Sequence, residues 1–238
     1  MMTDLKGKRA LVLGGSRGIG AAITARLAAL GAETAFTYVS AEGAANDLAA
    51  RTGTRATRVD SADRSALIAA VAEAGALDIL VVNAGVAVFA DPLATDPDAI
   101  DRMIDINIRA PYHAAVEAAR RMRDGGRIVV IGSVNGDRMP FLGGAAYAMS
   151  KSAVQGLARG LARDFGPRGI TVNVVQPGPV DTDMNPAAGP MAQAMHDQMA
   201  IKRHATSEEV AELVAYLIGP HGAIITGAMH TIDGGFGA

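Results

Sequence analysis

Arg9-Ala10-Leu11-Val12-Leu13-Gly14-Gly15-Ser16-Arg17-Gly18-Ile19-Gly20 joins a short apolar run to a glycine-rich turn and to the start of an Ala- and Leu-rich stretch, Gly20 to Leu30. The run reads as a buried strand and the stretch after it as a helix. A strand, a tight turn and a helix in direct succession aim unpaired backbone N–H groups and the positive end of a helix dipole at one point, which suits a phosphate. Glycine in such a turn lets the backbone bend sharply and approach a ligand closely. Alone the turn is weak evidence, because packing can demand it too.

The same alternation runs outward along the chain. Further β-rich runs occur at Thr34 to Val39, Arg55 to Val59, Asp78 to Val82, Arg127 to Ile131, Thr171 to Val175 and Ala228 to Ile232. Segments of helical length lie between them, among them Ser65 to Ala74, Asp98 to Met122 and Ala145 to Phe165. Strands separated by helices pair in parallel through right-handed crossovers. The expected fold class is therefore α/β: a Rossmann-like, doubly wound parallel sheet of about seven strands with helices on both faces. We read residues 1–238 as a single domain. In such sheets ligands sit at the carboxyl ends of the strands.

Composition narrows the function. Half of the 238 residues are hydrophobic, the formal charge is -2, and there is no cysteine. The basic excess that would neutralise polymeric nucleic acid or an anionic membrane is missing. Disulfides, thiolate nucleophiles and Cys-ligated zinc are excluded together. The stretch from Met1 to Arg9 is polar, and Ala10 to Leu13 is too short for a signal-peptide core. These features lead us to expect a cytoplasmic protein with no nucleic-acid polymer, membrane or metal partner.

Gly14-Gly15-Ser16-Arg17-Gly18-Ile19-Gly20 resembles the glycine turn of the short-chain dehydrogenase/reductase family, with Leu13 standing where that pattern usually has Thr. We expect a small loss of rigidity from that exchange. The resemblance continues at Asn83-Ala84-Gly85, at Pro177-Gly178 leading to Thr182, and at Ile232-Asp233-Gly234-Gly235. It implies a dinucleotide held by Gly14, Ser16, Arg17, Gly18, Ile19 and Gly20, by Tyr38 and Ser40, by Asp60 and Ser61, and by Asn83, Ala84 and Gly85. Tyr147, Lys151, Pro177, Gly178, Val180 and Thr182 complete the implied contacts. The second strand ends Thr37-Tyr38-Val39-Ser40 without a carboxylate, and Arg17 sits inside the turn. An acidic residue there would repel a ribose 2′-phosphate, whereas a guanidinium binds one with paired donors, so the expected cofactor is NADP(H).

Tyr147 and Lys151 are four residues apart in a helical stretch, which puts both side chains on one face. A free phenol titrates near pH ~10 and exchanges protons poorly at neutrality. A neighbouring ammonium and a positive nicotinamide ring are expected to lower that value. Ser133 ends the fifth strand and Asn107 lies in the long helical stretch before it. Asn107, Ser133, Tyr147 and Lys151 match the family tetrad one by one; within the family the chain resembles 3-oxoacyl-ACP reductases, which implies a small-molecule carbonyl substrate of the ketone or 3-oxoacyl type. In that scheme Ser133 hydrogen-bonds the carbonyl oxygen, Tyr147 protonates it and Asn107 holds a water that links Lys151 to solvent. Enoyl reductases of the family usually have a wider Tyr-to-Lys spacing. Ser133 precedes Tyr147 by fourteen positions, one more than the commoner spacing, and the glycine-rich loop between them has to absorb the extra residue.

After Thr182 the resemblance implies a substrate lid, residues 183–207. Met191, Met195 and Met199 are spaced i, i+4 and read either as an adaptable apolar face over substrate or as a helix packed on the core. His196 and His204 read as structural more readily than as substrate contacts. Ile131 to Pro140, Ala200 to His204 and Gly227 to Gly234 resemble bacterial cyclic-di-GMP-binding members of the family that promote biofilm dispersal. This implies an alternative role, sequestering cyclic di-GMP. Arg-x-x-Asp patterns occur at Arg102/Asp105 and Arg121/Asp124, and about one is expected by chance. The family's quaternary habit implies a homotetramer or homodimer through the stretches Asp98 to Met122 and Ala145 to Phe165.

Overall fold

Side chains alternate between the faces of a strand, and the two hydrophobic cores of this protein follow from that period. In β1 (Arg9–Leu13), Ala10 and Val12 face one core while Leu11 and Leu13 face the other. In β4 (Ile79–Val82), Ile79 and Val81 join the first, and Leu80 and Val82 the second. Such strands are apolar on both faces because helices cover both. The computed structural model describes residues 4–238, so the first three residues of the polar amino-terminal stretch lie outside the described part.

The remaining strands are β2 (Glu33–Tyr38), β3 (Arg55–Arg58), β5 (Arg127–Ile131), β6 (Thr171–Pro177) and β7 (Met229–Ile232). All pair in parallel in the order β3-β2-β1-β4-β5-β6-β7, so the strand order reverses between β1 and β4. The expected Rossmann-like sheet of seven strands is present. Strand β6 is buried throughout and runs two residues beyond its sequence reading.

The helices are α1 (Gly18–Ala29), α2 (Glu42–Thr52), α3 (Arg64–Glu73), α4 (Pro97–Ile104), α5 (Ala110–Arg121), α6 (Ala145–Phe165), α7 (Ala192–Asp197) and α8 (Ser207–Ile218). Helices α1 and α8 pack on the first core, and α3, α5 and α6 on the second. Local chemistry starts several of them. Asp63 accepts from the N–H groups of Ser65 and Ala66 at the head of α3, and Asp96 caps α4 ahead of Pro97. Thr206 and Glu209 form a reciprocal capping box on α8.

The helix read across Asp98 to Met122 runs unbroken from Pro97 to Arg121, with a π-helical turn, Asp105–Arg109, joining α4 to α5. One residue more per turn lets the helix rotate the side chain of Asn107 into the interior, where it is buried.

Candidate active site

The amino terminus of α1 lacks a side-chain cap, and its N-cap residue, Arg17, is extended. Its first N–H groups therefore remain free for an anion. The turn before it is tight. Gly14 has φ +75°, and a Cβ on it would lie 2.7 Å from the Cα of Ala84. A Cβ on Gly20 would lie 2.1 Å from the carbonyl oxygen of Gly14, so only glycine permits this close approach within the turn.

Bonds from other strands brace the turn beside Leu13. Asn83 Nδ2 donates to the Gly14 carbonyl (2.7 Å), Gly14 N–H to Thr37 Oγ1 (3.1 Å), and Gly15 N–H to the Thr37 carbonyl (2.9 Å). Leu13 itself is fully buried in the second core. Ala84 N–H in turn donates to the Leu13 carbonyl (2.8 Å), so Asn83, Ala84 and Gly85 stand directly beside the turn.

Ser16, Gly18 and Ile19 complete the cradle, and the methyl of Thr182 closes on Gly18, 3.1 Å from where a Cβ would stand. Pro177, Gly178 and Val180 carry the chain from β6 to Thr182, whose hydroxyl accepts from Asn185 N–H. The strand ends of β1, β4 and β6 therefore converge on one point.

At the end of β2, Tyr38 is buried and Ser40 exposed. Arg17 is more than half exposed and lies 3.5 Å from Asp183. Sequence reading missed Arg58. This residue ends β3 beside Tyr38, and its Nε donates to the Val39 carbonyl (3.0 Å), so it stands at the same corner as Ser40. Nothing local marked it, since the register of β2 against β3 decides its place. Asp60 accepts from Ala62 N–H and pairs with Arg102 (3.0 Å), next to the buried Ser61. Burial raises the Asp60 carboxyl, but those two donors outweigh it and hold the group below its usual value.

Across the switch point, Ser133, Tyr147, Lys151 and Asn107 come together. Lys151 is buried, its Nζ donates to the Ile131 carbonyl (3.1 Å), and it stands 5.8 Å from the Tyr147 ring centre. Burial lowers its amine to about 8. In the protein alone burial raises the Tyr147 hydroxyl above its usual value, and the hydrogen bond from Ser133 offsets only part of that.

Ser133 Oγ accepts from Asn135 N–H (3.1 Å), which leaves its own proton to donate. Asn107 is clamped by three bonds: Oδ1 from Val86 N–H (3.0 Å), and Nδ2 to the Val86 carbonyl (2.8 Å) and to Ser150 Oγ (3.0 Å). Ser150, fully buried, is a second residue that sequence reading missed; its place directly before Lys151 was the available signal. A Cβ on Gly85 would lie 3.4 Å from Lys151 Nζ and 3.5 Å from Asn107 Oδ1, so the missing side chain keeps space between them. A proton donor, a hydroxyl and a buried amine on one side of a carbonyl would stabilise negative charge on its oxygen.

The methionine stripe does not form one face. Helix α7 covers only Ala192–Asp197; Met191 is exposed, whereas Met195 and Met199 pack with Val134, Phe141 and Phe236. His196 Nε2 and His204 Nδ1 meet at 2.8 Å, which ties α7 to the chain after it. Burial, and then the neighbouring His196, lower the His204 imidazole.

A family model described as enoyl-(acyl carrier protein) reductase matches residues 14–237. The cyclic-di-GMP-binding biofilm dispersal mediator protein of Escherichia coli (strain K12) is 65% identical over 237 residues, with 100% of both chains covered. Among solved structures, BdcA in complex with NADPH matches with a TM-score of 0.97 and 64% identity over 98% of this chain and 96% of that one. A short-chain dehydrogenase from Burkholderia cenocepacia J2315 in complex with NADP matches with a TM-score of 0.96 and 48% identity over 98% and 99%. A glycine-braced helix start, a Tyr–Lys pair on one helix face and near-complete agreement in length and fold have one reading: the chain belongs to the short-chain dehydrogenase/reductase family.

Proposed function

We propose that the protein binds NADP(H) and reduces the carbonyl group of a small molecule to an alcohol. The observation that carries this reading is the convergence of Tyr147, Ser133 and Lys151 beside the uncapped, glycine-lined start of α1. A dinucleotide phosphate would be held by the free N–H groups at the start of α1, behind a turn that a Cβ at Gly14 or Gly20 would break by striking Ala84 or the Gly14 carbonyl. Relatives crystallised with NADPH and NADP support the choice of cofactor. Arg17 and Arg58 would supply positive charge, and Ser40 a hydroxyl, to a ribose 2′-phosphate. When bound, the reduced nicotinamide supplies the hydride.

The protein's own residues then handle the oxygen. Ser133 donates a hydrogen bond to it, Tyr147 gives it a proton, and Lys151 restores that proton through the space kept by Gly85 and Asn107. The four-residue step from Tyr147 to Lys151 favours carbonyl over enoyl reduction. Residues 183–207 serve as the lid, which begins where Asp183 pairs with Arg17 (3.5 Å). Among the described residues no helix is long and apolar enough to cross a membrane; we place the protein in the cytoplasm.

A second reading has its own support. At 65% identity over the full length, the likeness to a cyclic-di-GMP-binding biofilm dispersal mediator favours binding of that nucleotide, and with it biofilm dispersal, more directly than any sequence motif does. The Arg-x-x-Asp patterns contribute nothing to it. Arg102 pairs with Asp60 and Asp105 with Arg109, while Arg121 pairs with Glu117 and Asp124 with Arg168. The two readings are compatible in one molecule. A diketone and β-ketoester panel with NADPH, run beside a calorimetric titration with cyclic di-GMP, separates them. We expect turnover, and its loss by about 1,000-fold or more in Tyr147→Phe with NADPH binding retained. Undiminished turnover in that variant would place the proton donor elsewhere; no turnover together with tight nucleotide binding would leave the binding role alone.

A further inference from the structure

The loop between Ser133 and Tyr147 holds one residue more than the commoner family spacing, and a short turn, Val134–Gly136, follows Ser133 directly. This turn is fastened at its far end. The Asp137 carboxylate accepts from Gln155 Nε2 at one oxygen (2.8 Å) and from Gln176 Nε2 at the other (2.5 Å). Gln155 Nε2 also donates to Gln176 Oε1 (2.9 Å), which closes a ring of three side chains. Gln155 is one helical turn beyond Lys151 on α6, and Gln176 is the penultimate residue of β6. Both glutamines are buried, and the ring satisfies amides that would otherwise be stranded in the interior.

The ring therefore joins the three segments that carry the proposed chemistry: the Ser133 turn, the helix of Tyr147 and Lys151, and the strand that leads to Pro177 and Thr182. Two contacts press the same turn onto α6. Ser152 Oγ donates to the Gly136 carbonyl (2.5 Å), and a Cβ on Gly136 would lie 2.9 Å from the backbone carbon of Lys151. Neither contact reaches β6; beyond the strand pairing that ends with Gly132 N–H on the Val175 carbonyl (2.7 Å), Asp137 ties the turn to that strand through Gln176.

We propose that Asp137 is a positioning residue, which through Gln155 and Gln176 locks the Ser133 turn against α6 and β6 and so holds the Ser133 hydroxyl on Tyr147 despite the extra loop residue. The proposal rests on the reductase reading for its kinetic consequence. Asp137 is exposed on its outer side, so truncating it opens no cavity.

The test is a double-mutant cycle between Asp137→Ala and Ser133→Ala, with kcat, KM for ketone and Kd for NADPH measured in each protein. Asp137→Ala is expected to lower kcat by about 10- to 100-fold, the effect of a displacement on the order of 1 Å, with NADPH affinity changed by less than about twofold. In the Ser133→Ala background the same substitution is expected to lower kcat by less than about twofold, because a residue acting through Ser133 has nothing left to position. Gln155→Leu breaks the ring from the helix side and is expected to reproduce the signature of Asp137→Ala. Losses that multiply in the double variant, or wild-type kcat in both ring variants, would overturn the proposal.

Should the wild-type protein reduce no ketone, the reductase reading fails by itself. The positioning role is then decided by titrating the Tyr147 phenol, read as the tyrosinate absorbance missing from Tyr147→Phe. Its midpoint is expected to move to higher pH in Asp137→Ala as the Ser133 bond is lost, and an unmoved midpoint would refute the role.

Discussion

Lys151 combines three conditions that rarely meet in one side chain: it is 7% exposed, its Nζ has one hydrogen-bond acceptor, the Ile131 carbonyl, and no carboxylate is bonded to it. Burial alone lowers its amine to about 8. Since kcat/KM for ketone reports the form that meets the ketone, we expect its value to fall with rising pH as the ammonium, which titrates at about 8 in the protein alone, is lost. The same group leaves a mark on stability. Between about 8 and the ordinary 10.5 the unfolded chain binds the extra proton and the folded one does not, so this lysine's contribution to stability rises with pH over that window. Thermal unfolding followed from pH 8 to 10 should show that rise, and Lys151→Met should abolish it. At the other end of the cradle, Arg17→Ala and Arg58→Ala are each expected to weaken NADPH by about 10-fold or more and NADH hardly at all, the loss of a charge-assisted hydrogen bond. Fluorescence titration with both cofactors checks this, and equal losses for the two would remove these residues from the 2′-phosphate. Arg17 was legible in the glycine turn. Arg58 was not, because its place depends on pairing with a strand some twenty residues away.

Helix α8 shows how much one element owes to its first turn. Thr206 Oγ1 accepts from Glu209 N–H (3.2 Å), and Glu209 accepts from Thr206 N–H (2.8 Å) and from Arg203. Hydrogen bonding to Arg203, then to the Thr206 backbone, holds the Glu209 carboxyl down to about 2. Thr206→Ala is expected to destabilise the protein by about 0.5–2 kcal/mol, measured as a lower urea midpoint at unchanged m. A carboxyl whose folded value is depressed contributes stability above its unfolded value near ~4.3, and that contribution disappears as pH falls toward 2. Glu209→Gln should remove that acid dependence, and an unchanged dependence in this variant would count against the assignment to Glu209. Elsewhere element boundaries followed the hydrophobic period closely: β1, β5 and α6 begin and end where the sequence places them. The π turn at Asp105–Arg109 had no such signal, because Asp-Ile-Asn-Ile-Arg suits an ordinary helix. It forms where Asn107 is drawn inward by Val86 and Ser150, two contacts that exist only once the chain has folded.

For the molecule as a whole, α5 and α6 leave a cavity of about 320 Å³ lined mainly by Ile108, Tyr112, Val154 and Leu157, with Tyr112 half exposed. These are the two stretches through which we propose that copies of the chain associate. Light scattering is expected to return the mass of a dimer or tetramer, and Tyr112→Glu to reduce it; a monomeric wild-type protein would remove the proposal. The alternation of short apolar strands with helices, the glycine turn and the Tyr–Lys step are local patterns, so the parallel seven-stranded sheet and most of the candidate site could be read from the chain itself. Bracing of the turn by Thr37 and Asn83, the corner made by Ser40 and Arg58, the clamp on Asn107 and the ring of Asp137, Gln155 and Gln176 could not. Each of these joins residues remote in sequence, and hydrogen bonds between distant segments are set by strand register and helix packing, which no local period encodes.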